Sequence, residues 1–197
     1  CVGTRPDCVP PAALDLLTGY REEGYEVWLE LGLQTAHDKT LKRINRGHDF
    51  RCYQQTAQRA RQRGLKVCCH LIVGLPGETQ RDHLLTLQRV VESGVDGIKL
   101  HPLHVVTGST LARAWRAGRL PELALEDYAV SAGEMIRHTP GEVVYHRLSA
   151  SARRPTLLAP LWCENRWRGM QAVGAYLQQY GGQGSALDAA LHYSPTL

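Results

Sequence analysis

The residues best suited to chemistry stand at the ends of apolar stretches that have the pattern of β-strands. Glu30 and Gln34 occur in "YEVWLELGLQT", where they interrupt an otherwise apolar run. Side chains alternate between the two faces of a strand, so these two share one face. A buried carboxylate or amide costs free energy unless it is bonded. The stretch therefore indicates either a polar ligand site or an ion pair between Glu30 and a neighbouring Lys or Arg.

A second stretch, "HLIVGLPGE" from His70 to Glu78, is an apolar strand that runs into a Gly-Pro-Gly turn. Gly74 and Gly77 allow a ligand to approach the backbone closely, and the helix that follows offers free N–H groups to an anion. Many α/β proteins use such a turn only as a connection. Both interpretations stay open at this point.

The third stretch, "DGIKLHPLHVVTGSTL", places Lys99 and His101 on one face of a strand that Pro102 interrupts. His101 and His104 are spaced as some metal ligands are. However, the proline breaks the regular geometry, and neither a Cys nor an acidic pair lies near them in the sequence. We therefore predict no metal ligands in this chain.

The elements that carry these stretches alternate between helix and strand. Each of the three strands follows a helix-like stretch that ends in glycine, at Gly24, Gly64 and Gly94, as expected at a left-handed helix terminus. Strands that alternate with helices form right-handed crossovers and a parallel sheet, with ligands beyond the carboxyl ends of the strands. Thr79 with Asp82 and Thr35 with Asp38 have the spacing of helix-capping boxes.

Composition narrows the function classes. The 197 residues are 43% hydrophobic, enough for a real core, and a net charge of +4 is too small to indicate nucleic acid or membrane as the partner. No apolar run approaches the roughly 18 residues that a membrane span needs. The six cysteines form no disulfide framework, which favours a cytoplasmic location. The opening "CVGTRPD" has the pattern of a strand end, so we expect the natural chain to begin earlier.

Five ordered motifs carry a resemblance to a known family: "GTRPD", "LELGLQT", "INRGH", "HLIVGLPGE" and "IKLHPLHVVTGSTLARAWRAGRL". Together they resemble radical S-adenosylmethionine (SAM) enzymes, in particular the radical domain of the Elongator catalytic subunit and the oxygen-independent coproporphyrinogen oxidases. The tail "YHRLSASARRPTLLAPLWCENRW" is similar to that of a smaller bacterial group of the superfamily. The resemblance implies an α/β fold, the C-terminal part of a partial (β/α)6 TIM-like barrel. Residues 1–148 would form its later βα units, and residues 149–197 a C-terminal extension of loop and helix.

The resemblance also implies which residues bind the cofactor. Gln34 would bond the ribose hydroxyls of SAM, and Arg46 would pair with its methionyl carboxylate, since a planar guanidinium can meet both oxygens. Glu30 would support the pocket. Six further positions would surround the nucleoside: His70 near the ribose, Ile72 and Gly74 along the adenine, and the backbone of Leu100, His101 and Pro102 at the adenine edge.

The activity that the resemblance implies depends on a 4Fe-4S cluster held by three cysteines of one short motif. No such motif occurs among the six cysteines, so we expect the cluster ligands upstream of this chain and expect the chain alone to be inactive. The complete protein would cleave SAM reductively to a 5′-deoxyadenosyl radical. Its electron donor would be a flavodoxin or ferredoxin, and its substrate is unknown. Gly3 departs from the Elongator pattern, which has an acidic residue there.

Three alternatives stay open. The chain could bind a nucleotide or tRNA without radical chemistry, or belong to an ordinary phosphate-binding barrel enzyme. RNA is also considered as a partner because one helix is strongly basic, although a solvated helix face explains such a run equally well.

In the tail, an anionic or aromatic substrate could meet the four arginines and two tryptophans, but packing is the favoured interpretation, and Cys163 is expected to be buried and structural. The residues concerned are Arg51, Arg59, Arg61 and Arg63 on the helix, and Arg147, Arg153, Arg154, Arg166, Trp162 and Trp167 in the tail.

Overall fold

The computed structural model describes residues 1–187, which form an α/β fold around one parallel sheet. The strands are β1 (Val2–Thr4), β2 (Trp28–Gln34), β3 (Lys66–Val73), β4 (Gly97–Pro102), β5 (Val105–Val106), β6 (Val144–Arg147) and β7 (Leu157–Ala159). The α-helices are α1 (Pro11–Glu22), α2 (Asp38–Arg43), α3 (Phe50–Arg61), α4 (Gln80–Glu92), α5 (Thr110–Arg116), α6 (Leu125–Arg137) and α7 (Arg166–Tyr180), with short 3-10 helices at Pro6–Cys8 and Leu161–Glu164.

The main sheet has five parallel strands in the order β1, β2, β3, β4, β6. Helices connect successive strands, so the predicted fold class, part of an open barrel with parallel strands, is confirmed. Gly24, Gly64 and Gly94 have φ of +93°, +72° and +79°, as predicted for glycines that end helices. In the part of the chain described, no helix is long and apolar enough to cross a membrane.

The two faces of the sheet differ in chemistry because side chains alternate along each strand. One face packs against the helices, and its side chains belong to the main hydrophobic core: Leu29, Leu31, Leu33, Val67, Cys69, Leu71, Val73, Ile98 and Leu100. The opposite face, called the polar face below, has Trp28, Glu30 and Gly32 from β2, Cys68, His70 and Ile72 from β3, and Lys99 and His101 from β4.

Residues after 148 share the core of the preceding units. β7 pairs with β5 in an antiparallel ribbon, and α7 packs on α6. Trp162 is buried and its Nε1 donates a hydrogen bond to the Leu123 carbonyl at 2.9 Å, while Cys163 is fully buried. Trp162 and Cys163 are thus packed in the core, as predicted. Trp167, for which packing was also the favoured interpretation, is 55% exposed. The division at residues 148 and 149 stays a prediction.

One of the two predicted capping boxes is present. Thr79 and Asp82 form it at the start of α4, with the Thr79 backbone N–H bonded to the Asp82 carboxylate at 2.8 Å. The prediction for Thr35 and Asp38 is wrong. α2 begins at Asp38 with His37 before it, and the Thr35 hydroxyl instead donates to the Glu78 carboxylate at 2.7 Å.

Candidate functional site

The carboxyl end of β2 is distorted in a way that brings two predicted ligand residues together. The pairing of β2 with β3 shifts between Leu31 and Gln34, and Gln34 has φ of +80°, a left-handed conformation that only a few per cent of non-glycine residues adopt. A Cβ built on Gly32 would lie 2.8 Å from Gln34 Nε2 and 3.2 Å from Arg46 Nη2. The two side chains therefore converge over the one position of the strand that has no side chain.

Arg46 lies beyond α2 and returns to the strand end. Its Nη2 donates to the Gly32 carbonyl at 2.6 Å, and its Nε lies 3.4 Å from His48 Nε2. Among residues 1–187 no carboxylate pairs with this half-buried guanidinium, although a cavity of about 370 Å³ opens beside it. Burial, with the charge of Arg5, lowers the pKa of Arg46. A partly desolvated cation without a counterion is suited to bind an anion.

Glu30, Lys99 and His70 form a polar triad at the centre of the polar face. Lys99 Nζ and His70 Nε2 lie 2.6 Å and 2.8 Å from the same carboxylate oxygen, and Glu30 is only 7% exposed. Burial raises the pKa of Glu30, but the hydrogen bonds from Lys99 and His70 outweigh it and leave that pKa below its usual value. Burial lowers the pKa of His70 despite the carboxylate. Of the two interpretations of Glu30, the ion pair describes the contacts that its carboxylate makes. The role of Glu30 beside a ligand stays a prediction.

His101 lies above this triad towards the carboxyl end of β4. Its ring stacks on that of His70, with centroids 5.3 Å apart. Burial lowers the pKa of His101 to about 4, so the ring is neutral at pH 7. Its buried Nε2 has no hydrogen-bond partner within the described residues. A neutral imidazole with a free nitrogen can bond a ligand as donor or acceptor.

The remaining predicted positions lie at the same end of the sheet. Ile72 pairs with His101 across the strands and is partly exposed, and Pro102 is buried opposite Val73. The Leu100 side chain lies in the core, so only its backbone could meet a ligand. Whether these positions line an adenine ring stays a prediction.

Gly74 lies at the start of the Gly-Pro-Gly turn with φ of +93°. A Cβ built there would lie 2.9 Å from Leu123 Cδ2, so its missing side chain accommodates Leu123. Its N–H lies 3.4 Å from His83 Nε2. Close packing of this turn against its neighbours explains the glycine, and the place of Gly74 along the adenine stays a prediction.

Two features of the site were not predicted from the sequence: the role of Gly32 and a buried hydrogen-bond network behind the site. Glu78 accepts from Thr35, whose hydroxyl also lies 3.2 Å from that of Thr86, and Thr86 accepts from the Ala36 N–H at 3.1 Å. This network fixes the loop between β2 and α2. The signal for Gly32 was present, since a glycine inside a strand often marks close approach of other groups.

The described residues do not fit an iron–sulfur cluster. No group of three or more His, Cys, Asp or Glu among residues 1–187 is arranged to hold a metal ion. All six cysteines are free thiols: Cys68, Cys69 and Cys163 are buried, Cys52 is half-buried, and Cys1 and Cys8 are exposed. Burial raises the pKa of Cys163 to about 12, which disfavours the thiolate that a metal requires.

Comparison with known proteins identifies the class of protein to which this fold and site correspond. The sequence profile of the radical SAM superfamily matches residues 1–90, and that of the radical SAM C-terminal domain matches residues 95–179. The chain belongs to the radical SAM superfamily, and the resemblance predicted from its motifs is confirmed.

Particular relatives refine this placement. Protein YhcC of Escherichia coli K12 is 75% identical over 187 residues, which is 95% of this chain and 60% of YhcC. The tRNA uridine(34) acetyltransferase of Dehalococcoides mccartyi is 33% identical over 60% of this chain and 26% of its own length. The solved structure of Elp3 from Methanocaldococcus infernus shares the fold, with a TM-score of 0.73 at 22% identity over 91% of this chain and 41% of Elp3. The chain thus spans about 60% of the length of YhcC.

Proposed function

We propose that the complete protein is a radical SAM enzyme and that this chain supplies the edge of the sheet that holds SAM. The observation that carries the proposal is the convergence of Gln34 and Arg46 over Gly32. Arg46 is a half-buried cation whose bonds in the described structure go to a backbone carbonyl and a histidine. An amino-acid carboxylate beside it would supply the missing counterion.

The chain's own residues would bind and orient the cofactor. Arg46 would hold the methionyl carboxylate while it remains anchored on the Gly32 carbonyl, and Gln34 would bond the ribose hydroxyls. The absence of a Cβ on Gly32 supports the fit, because a side chain there would occupy the space that both groups need. The chemistry that SAM would supply when bound is its one-electron reductive cleavage, which releases methionine and leads to removal of a hydrogen atom from the substrate.

Residues 1–187 contain no set of ligands for the cluster, so another part of the protein would hold it. The electron donor would be a flavodoxin or ferredoxin, as is usual for the family.

A tRNA substrate is a narrower proposal that rests on the relative named for tRNA. The basic run of α3 and the residues just after it gives little support, because two of its arginines, Arg59 in the helix and Arg63 beyond its end, already have partners within the chain. Arg59 donates to the Val9 carbonyl at 3.3 Å, and Arg63 pairs with Asp15 at 3.0 Å. RNA binding therefore stays a prediction that the arginines alone do not carry.

The test uses the complete protein with its cluster rebuilt without oxygen and reduced by dithionite. We expect 5′-deoxyadenosine to form from SAM, and we expect Arg46→Ala to weaken SAM binding by about 1–3 kcal/mol, since it removes a charged partner of the carboxylate. Arg116→Ala, on the exposed end of α5, is the matched control and should bind SAM normally.

Two results would contradict the proposal. If Arg46→Ala folded and bound SAM as tightly as the unaltered protein, Arg46 would not be the carboxylate ligand. If the reduced cluster and bound SAM gave no 5′-deoxyadenosine, with and without cell extract as a source of substrate, the protein would be a nucleotide-binding protein without radical chemistry.

A further inference from the structure

A bulge in β6 alters which side chains this strand presents to the polar face. The pairing of β6 with β4 shifts by one residue after Ile98 and Tyr145, so that Lys99 lies opposite Arg147 and His146 is the extra residue. Paired residues of neighbouring strands project to the same side. Bulges commonly re-aim side chains next to functional sites. The shift therefore turns Arg147 towards the face that carries Lys99.

The surroundings of His146 and of Arg147 agree with an orientation of both side chains towards the polar face. His146 packs against Trp28, a polar-face residue, with ring centroids 4.3 Å apart. Burial lowers the pKa of His70 and of His101, and the positive charge of Arg147 lowers both further. These effects agree with the pairing of Arg147 opposite Lys99, on the same side of the sheet as the two imidazoles.

Arg147 has no counterion of its own. It is exposed and has neither an ion pair nor a hydrogen bond to any of residues 1–187. The carboxylate at the centre of the face, Glu30, already accepts from Lys99 and His70. The pKa values of the two histidines are lowered from 6.5, so both rings are mainly neutral at pH 7, and the charged groups on this side of the sheet are Glu30, Lys99 and Arg147. Glu30 is paired with Lys99, so the charge of Arg147 has no protein carboxylate as its partner among residues 1–187.

This charge is separate from the one assigned to SAM. Arg46 lies at the end of β2, and β3 and β4 stand between β2 and β6. Three strand spacings of about 4.8 Å separate β2 from β6 by roughly 14 Å, and the Arg46 guanidinium is held at the Gly32 carbonyl of β2, so the two arginines belong to different parts of the sheet. An anion bound by Arg46 would therefore leave Arg147 available for a second anionic group.

We propose that Arg147 is a specificity residue that binds an oxyanion of the substrate, a carboxylate or a phosphate, on the polar face. This inference rests on the proposed function, because it takes the polar face as the place where substrate meets SAM. The planar guanidinium can bond two oxygens of either group at once. The neutral rings of His70 and His101 beside it would add hydrogen bonds without adding charge. Substrates that lack an anionic group would be selected against.

The test measures how fast phenylglyoxal modifies each arginine of the complete protein, by peptide mass spectrometry at constant ionic strength. Inorganic phosphate and acetate are the probes, with chloride as the reference. We expect at least one of the two anions to slow modification of Arg147 about fivefold, since a bound oxyanion covers the guanidinium. Arg116 is the internal control and should react at an unchanged rate. Protection by phosphate alone would indicate a phosphate group, and protection by acetate alone a carboxylate.

The same samples separate this inference from the proposed function. Adding SAM should slow modification of Arg46, which tests the cofactor site independently of Arg147. If SAM protects Arg46 while neither anion protects Arg147 more than Arg116, the oxyanion inference is overturned and the cofactor site stands. If SAM fails to protect Arg46, the proposed function fails whatever happens at Arg147.

Discussion

Replacing Gly32 by alanine should separate cofactor binding from stability. A Cβ at this position would lie 2.8 Å from Gln34 Nε2 and 3.2 Å from Arg46 Nη2, closer than nearly all real Cβ contacts. The Gly32 φ lies outside the left-handed region, so the alanine backbone is unstrained. The side-chain ends must move instead. We therefore expect little change in the free energy of unfolding, because alanine also lowers the entropy of the unfolded chain by about 0.4–1 kcal/mol.

The cost should appear in SAM binding. Displacing one charged hydrogen bond costs about 1.5–3 kcal/mol. Since about 1.4 kcal/mol corresponds to a factor of ten in affinity, SAM should bind roughly 10-fold to 100-fold more weakly. The assay is anaerobic calorimetry on the complete protein, with the melting temperature measured on the same samples. Gly141→Ala is the matched control, because a Cβ there meets nothing within 4 Å. Unchanged SAM affinity in a folded Gly32→Ala protein would refute the reasoning.

Three further predictions concern stability, measured by urea unfolding. Glu30→Gln should lower the free energy of unfolding at pH 7 by about 2 kcal/mol, since it weakens a charged hydrogen bond and leaves the half-buried ammonium of Lys99 without its counterion, whereas Glu26→Gln in an exposed pair should change it much less. The pKa of His83 is lowered from 6.5 to about 4, mainly by burial, so stability should fall as pH drops from about 6.5 to 4, and His83→Gln should remove most of that fall. Trp162→Phe should cost about 1 kcal/mol through the lost hydrogen bond from the ring nitrogen.

Each stability prediction has an outcome that contradicts it. Because the folded-state pKa of Glu30 is lowered, the stabilisation from its carboxylate exists above about pH 4.5 and is lost as pH falls through the folded value. The difference between wild type and Glu30→Gln should therefore shrink in acid, and a difference that grew there would oppose the ion-pair explanation. For His83→Gln, an unchanged pH profile would assign the acid sensitivity to another group. For Trp162→Phe, wild-type stability would show that ring packing alone holds the site.

The elements that recur along the chain could be predicted from sequence. Strands β2, β3 and β4 show apolar runs after a helix-ending glycine, and that glycine is a local signal because few other residues adopt positive φ. The same alternation put Lys99 and His101 on one face, which the register of β3 and β4 confirms. Periodicity is a strong signal for such regular units.

Irregular features were not predictable in the same way. The shift in β2 that gives Gln34 its left-handed conformation, and the bulge that re-aims Arg147, depend on pairing with other strands and have no local sequence signal. The capping box expected at Thr35 failed because a buried carboxylate 43 residues away, that of Glu78, competes for its hydroxyl. Such contacts between distant segments become visible only in the folded chain.

The most direct test of the cofactor site is an anaerobic crystal structure of the complete protein with its cluster and SAM. We expect the methionyl carboxylate to lie roughly 3 Å from the Arg46 guanidinium and the ribose hydroxyls within hydrogen-bond distance of Gln34, with the Cα of Gly32 beneath them. A structure in which Arg46 still bonds only the Gly32 carbonyl, while another residue holds the carboxylate, would contradict the assignment of this site.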